Sequence, residues 1–247
     1  MPTTASAPPT WFQRRLLPGF AFKAVVIGGG YATGRELAEF FLPAGPWGGL
    51  AGMLLATAIW SAVCAATFEF ARVTASFDYR SFFQRLLGPG WVVFEVAYLL
   101  FVVLILSVFG AAAGAIGAAT LGLPPLAGTL ALATCIAAVA AFGNASVERL
   151  FKWVTVLLYG VYAAFILLSL GRFGDRIAAA FAAPVPSDAG GWALGGLTYA
   201  SYNVVGAVVV LPVVRHLADR RDAVTAGLVA GPLAMLPALL FFTAMAA

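Results

Sequence analysis

Residues 24–41 read AVVIGGGYATGRELAEFF, and this stretch decides how the whole chain is understood. Gly28, Gly29, Gly30 and Gly34 interrupt a segment otherwise apolar enough to cross a bilayer, and Arg35, Glu36 and Glu39 follow within the same crossing. In hydrocarbon an unsatisfied backbone group costs several kcal/mol, so a helix breaks only where protein or a cavity shelters the break. Glycine eases such a break and lets a ligand approach the main chain. Thr33 precedes Glu36 by three residues, the T-x-x-E pattern of a capping box. One helix is therefore expected to end near Gly28 and another to begin near Thr33. An anionic group would then sit against the free amides of residues 32–35. The competing reading makes these glycines contacts for close helix packing.

The three charges allow several roles. Arg35 and Glu39, four apart, are placed to pair along one helix face. Glu36 lies nearest the break and carries a proton, meets a cationic group, or caps the helix. If this half-helix ends in a wet vestibule, all three charges become ordinary.

Composition supports a membrane setting. Of 247 residues, 62% are hydrophobic and 10% charged, with mean hydropathy +0.98. Soluble domains hold roughly 45–50% apolar and about 25% charged residues. A bilayer-spanning helix needs about 20 apolar residues, and seven such stretches are expected, at 17–42, 47–73, 91–118, 126–142, 150–170, 191–214 and 223–244. The proline-rich residues 1–16 read as a disordered cytoplasmic tail. Residues 171–190 read as an outer loop, and 74–90 as a polar connector. Cys64 and Cys135 fall in apolar runs and read as packing residues.

Placing the N-terminus inside puts Arg14, Arg15, Lys23, Arg72, Arg80, Arg85, Arg149, Lys152, Arg215, Arg220 and Arg221 on the cytoplasmic side. Only Arg172 and Arg176 then lie outside, a strong positive-inside bias. The surplus of basic residues therefore reflects topology, and nucleic acid is not an expected partner.

A second polar cluster, Tyr199, Ser201, Tyr202 and Asn203, sits in the sixth stretch, followed by Gly206 and Pro212. Asn203 is costly in lipid unless bonded, and Pro212 removes a backbone donor. A discontinuity at 201–206 is expected to face the first break, and Asn203 as glue between helices is the alternative. The first and sixth stretches enter from opposite sides, as the leading members of inverted five-helix repeats do. Glu69 and Glu95 are expected near the ends of their helices, within reach of Arg72 or Arg85. His216 reads as an ordinary interfacial residue. Bond-making chemistry is not indicated: no histidine pair at metal spacing, no G-x-S-x-G and no P-loop lysine occurs. No enzyme activity, cofactor or metal is expected.

GGGYATGRELAEFF together with YASYN resembles the YkvI-type bacterial membrane proteins of the amino acid–polyamine–cation transporter superfamily. The resemblance runs from about residue 17 to the C-terminus. It implies an all-α polytopic protein of leucine-transporter-like inverted-repeat fold, with helices 1 and 6 discontinuous. It further implies a secondary transporter of an amino acid or related amine in the bacterial inner membrane. The substrate would lie at Gly28, Gly29, Gly30, Ala32, Thr33 and Gly34 and at Tyr199, Ser201, Tyr202 and Asn203. Residues 17–170 would form the first repeat and 191–247 an incomplete second one, truncated before helices 8–10. Without the eighth helix a sodium site is not assembled by this chain alone, so the coupling ion, proton or sodium, stays open. The missing helices would come from a longer chain, a partner or a homo-oligomer. The alternative function is a non-transporting membrane protein that binds a small ligand.

Overall fold

The computed structural model describes residues 10–27, 34–141, 144–183 and 191–245. Among them every regular element is helical: α1 (Trp11–Arg15), α2 (Leu17–Val26), α3 (Arg35–Phe40), α4 (Gly45–Thr74), α5 (Tyr79–Leu87), α6 (Trp91–Leu121), α7 (Pro125–Ala141), α8 (Asn144–Ala182), α9 (Trp192–Asn203), α10 (Gly206–Val209), α11 (Leu211–Val214) and α12 (Arg220–Met245). Single 3₁₀ turns precede α4, at Leu42–Ala44, and α6, at Gly88–Gly90. The chain divides into two compact units, residues 1–88 with 165–247, and residues 89–164.

In the first unit α4 supplies the organising face. Met53, Ala56, Trp60, Cys64, Phe68 and Ala71 are all completely buried and recur every three or four residues, the spacing of one helical stripe. Against it lies α12, whose buried residues Ala223, Ala226, Ala230, Ala234 and Ala238 keep the same period with small side chains. Small residues let helix backbones close up where no hydrophobic effect drives association. A Cβ on Gly227 would collide with the Ala65 backbone, and one on Gly231 with Ser61 and the Thr57 carbonyl. The Ser61 hydroxyl donates to the Leu228 carbonyl at 3.0 Å across the same seam.

α2 packs on α12, and α9 packs on α4. A Cβ on Gly19 would lie 3.3 Å from Ala230 Cα, and one on Gly196 would lie 2.5 Å from the Gly52 carbonyl oxygen. The contacts thus interchange the first and second expected spans with the sixth and seventh. α2 also meets α10 and α11, while α3 meets α9.

In the second unit, α6 and α7 pack through Gly110, Gly114, Gly117 and Gly128. Thr129 donates to the Gly110 carbonyl at 2.8 Å. Gly122, with φ 65°, ends α6 in the left-handed region that favours glycine.

Three helical stretches among the described residues are long and apolar enough to cross a membrane: Arg35–Thr74, Tyr79–Leu121 and Arg220–Met245. Leu17–Val26 and Pro125–Ala138 are apolar but shorter. The first and sixth expected spans are each cut into pieces, which is why neither forms one long helix.

Three boundaries differ from the sequence expectation. Residues 10–16 are not a disordered tail: Thr10 and Gln13 form a reciprocal capping box that opens α1. Residues 171–182 are not a loop but the continuation of α8. Ile177 is buried along it, while Arg172, Asp175 and Arg176 stay exposed. The connector at 74–90 contains α5, started by Asp78, which accepts from the Ser81 amide at 2.9 Å.

Candidate functional site

The first span stops and restarts. α2 ends at Val26, with Ile27 at ψ 84°, outside the helical region. α3 begins after Gly34, whose φ of 75° is left-handed. Gly28, Gly29, Gly30, Ala32 and Thr33 lie outside the described residues. The helix N-cap is Gly34, which places Glu36 at the second position of the helix, and the Thr33 half of the expected capping box lies outside the described residues. A Cβ on Gly34 would lie 2.6 Å from the Phe241 ring, so packing as well as backbone conformation requires glycine.

The sixth span is interrupted as well. α9 ends at Asn203, a turn at Val204 and Val205 follows, and α10 and α11 are single turns closed partly by i→i−3 bonds. Pro212 opens α11. Asn203 does not reach another helix: its amide donates back to the Tyr199 carbonyl at 3.1 Å. In doing so it bonds the last turn of its own helix.

α3 and α9 bring Glu36, Tyr199 and Tyr202 together. Tyr199 is completely buried, and its ring meets Phe41 at 5.0 Å, Trp60 at 5.4 Å, Tyr202 at 5.6 Å and Phe40 at 5.7 Å between centroids. Phe40 also faces Tyr202 at 5.9 Å. Such offset and edge contacts add about 0.5–1.5 kcal/mol per pair beyond burial. Trp60 ties the site together: its ring meets Phe22 of α2 at 5.7 Å, and its indole N–H donates to the Ala200 carbonyl at 3.2 Å. Gly195 permits the approach, because a Cβ there would strike the Phe40 carbonyl.

The Tyr202 and Tyr199 side chains lie close to the Glu36 carboxyl. Even so, Glu36 Oε2 and the Tyr202 hydroxyl are buried, and neither meets bonding geometry with a partner among the described residues. Buried polar atoms normally find a partner, and this pair departs from that rule.

The other expected site residues stand apart. Ser201 is exposed and donates to the Thr198 carbonyl at 2.8 Å. Arg35 and Glu39 are both exposed and form no ion pair with each other. An exposed pair of long side chains gains little to offset the entropy of fixing it. Glu39 instead lines an open recess of about 480 Å³ with Phe40, Pro43, Ala44, Gly191, Leu194, Gly195 and Thr198. Glu69 does pair with Arg72, through two bonds of 2.8 Å. Among the described residues no group of three His, Cys, Asp or Glu side chains is placed to hold a metal.

Sequence reasoning missed Phe40, Phe41, Trp60 and the Gly195–Gly196 pair. The legible signal was an aromatic pair directly after Glu39, and the second tryptophan of α4, Trp60, deep within an apolar run. No protein-family model, curated protein or solved structure matches this chain.

Proposed function

We propose that the chain belongs to a secondary transporter of a small solute, an amino acid or related amine, bound where the interrupted first and sixth spans meet. One observation carries this reading: the buried Glu36 Oε2 and Tyr202 hydroxyl lie together without closing a bond, at the junction of α3 with α9. Helix ends at such a junction offer amides and carbonyls that an unbroken helix would have consumed.

The exchange of contacts supports the inverted-repeat part of the reading. α2 on α12 mirrors α9 on α4, as repeats related by a twofold axis require. The resemblance to YkvI-type proteins and the leucine-transporter-like fold enters on the same footing, as does the seven-span count. The charge asymmetry argues for a cytoplasmic N-terminus in a bacterial plasma membrane.

Counterflow of labelled amino acids and amines into proteoliposomes tests the proposal. A transporter exchanges label across the bilayer, and Glu36→Gln and Tyr202→Phe each weaken that exchange about tenfold or more, the value of one hydrogen bond to a charged group. Saturable binding without counterflow would leave a ligand-binding protein instead. Binding and counterflow both unchanged in the two variants would move the site elsewhere. Collapsing the proton or the sodium gradient separately identifies the coupling ion.

A further inference from the structure

The helix α5, YRSFFQRLL, takes no part in the site described above. Its apolar residues Tyr79, Phe82, Phe83, Leu86 and Leu87 fall at i, i+3, i+4, i+7 and i+8, one continuous face. Arg80, Ser81, Gln84 and Arg85 occupy the other face, with the two arginines at its opposite borders. Only part of the apolar face is covered. Phe82 is buried, with its ring 5.0 Å edge-on to Phe70 of α4, whereas Leu86 and Leu87 remain 49% and 46% exposed.

The chain itself restricts where this face lies. Residues 75–78 join α5 to the end of the apolar stretch Arg35–Thr74, and a four-residue link reaches at most about 14 Å. At the other end Gly88, with φ 54°, breaks the helix immediately before the apolar α6. A helix joined this closely to the Arg35–Thr74 stretch, and cut off by Gly88 from the α6 part of the Tyr79–Leu121 stretch, remains at the membrane face. There its exposed leucines meet acyl chains, and arginines at the polar border extend their guanidinium groups into the headgroup layer. Glu69 is held by Arg72, Asp78 lies beside Arg80 while bonded to the amide and hydroxyl of Ser81, and Arg85 is exposed.

We propose that α5 lies in the plane of the membrane surface and binds anionic lipid headgroups through Arg80 and Arg85. A guanidinium fork matches a phosphodiester in two parallel bonds, and the exposed leucines select a lipid over free phosphate. The proposal rests on the membrane-spanning reading of the chain, not on the transport reading.

The test uses the full chain with Cys64→Ala and Cys135→Ala, carrying a single spin-labelled cysteine at position 54, 84 or 86. Vesicles are phosphatidylcholine with or without phosphatidylglycerol. Leu54 is 63% exposed on α4 and reports the crossing itself. Expected are oxygen-accessible labels at 54 and 86, and a label at 84 open to a water-soluble nickel chelate. Native mass spectrometry is expected to show phosphatidylglycerol affinity falling about tenfold in Arg80→Gln/Arg85→Gln, and largely kept in Arg80→Lys/Arg85→Lys. A label at 86 as open to nickel as that at 84 overturns the proposal, as does phosphatidylglycerol affinity unchanged in the glutamine variant. A label at 54 open to nickel overturns the membrane-spanning premise instead.

Discussion

Arg15 and Asp222 meet across 207 positions of sequence, the guanidinium Nε lying 3.2 Å from the carboxylate Oδ1. Asp222 is 3% exposed in the first turn of α12, and Arg14 adds a second contact at 3.7 Å. The pair therefore clamps the short helix α1 to the start of α12. An acid near a helix N-terminus is favoured in its own right, so Asp222 is held by two effects at once.

Arg15→Ala is expected to destabilise by about 1–2 kcal/mol, because Arg14 still faces the carboxylate. Asp222→Ala is expected to cost more, since both arginines lose their partner and Arg14 Nε is already buried without one. Thermal unfolding in detergent ranks the two variants. Equal losses would show that Arg14 contributes nothing.

Tyr199 and Tyr202 are expected to separate stability from binding. Tyr199→Ala removes a fully buried ring with four aromatic neighbours and should cost about 3–5 kcal/mol. Tyr202→Phe removes one hydroxyl that bonds nothing described, and should leave the melting temperature within about 1–2 °C. A large drop in melting temperature for Tyr202→Phe would make its hydroxyl structural.

Glycines at the close approaches should tolerate nothing larger. Gly196→Leu drives a side chain into the Gly52 backbone, while Gly174→Leu points into open space. Size-exclusion profiles should show aggregation for the first and a wild-type peak for the second. Matching profiles would mean that α9 does not press on α4.

Asp78 offers a pH readout outside the membrane stretches. The Ser81 hydroxyl, followed by its amide, holds the carboxyl below the usual carboxylate range. A carboxyl lowered in the folded state adds stability that is complete above its unfolded value, about 3.9. That stability is lost as pH falls through the lower folded value. Asp78→Asn keeps a capping oxygen but cannot titrate, so the gap between wild type and variant should close as pH drops below about 4. A gap constant across that range would mean that the carboxyl charge is immaterial. Asp78→Ala should cost about 1 kcal/mol at neutral pH through the lost cap.

Local chemistry made part of this fold legible. Glycines beside charges marked the end of α2 at Val26 and the start of α3 after Gly34, and Tyr202–Asn203 before Gly206 marked the end of α9. Arg72 beside Glu69 announced their ion pair. What could not be read depended on distant partners. Gly34 caps α3 with a left-handed φ, in a position that Phe241 and Met245 crowd from the far end of the chain. Arg35 and Glu39 had the spacing to pair, yet Glu39 turns toward the recess at the start of α9. The charges at 172–176 resembled a loop because no local signal shows that Ile177 buries one side of a continuing helix.

The seam between α4 and α12 also sets an order of events during synthesis. Ser61 waits for the Leu228 carbonyl and Trp60 for that of Ala200, and both lie more than a hundred residues downstream. Until they emerge, the side of α4 that meets α9 and α12 lacks its native partners, and the Ser61 hydroxyl and Trp60 indole N–H lack their acceptors. The first unit closes only after the residues of the second have been made, because its own chain resumes at residue 165.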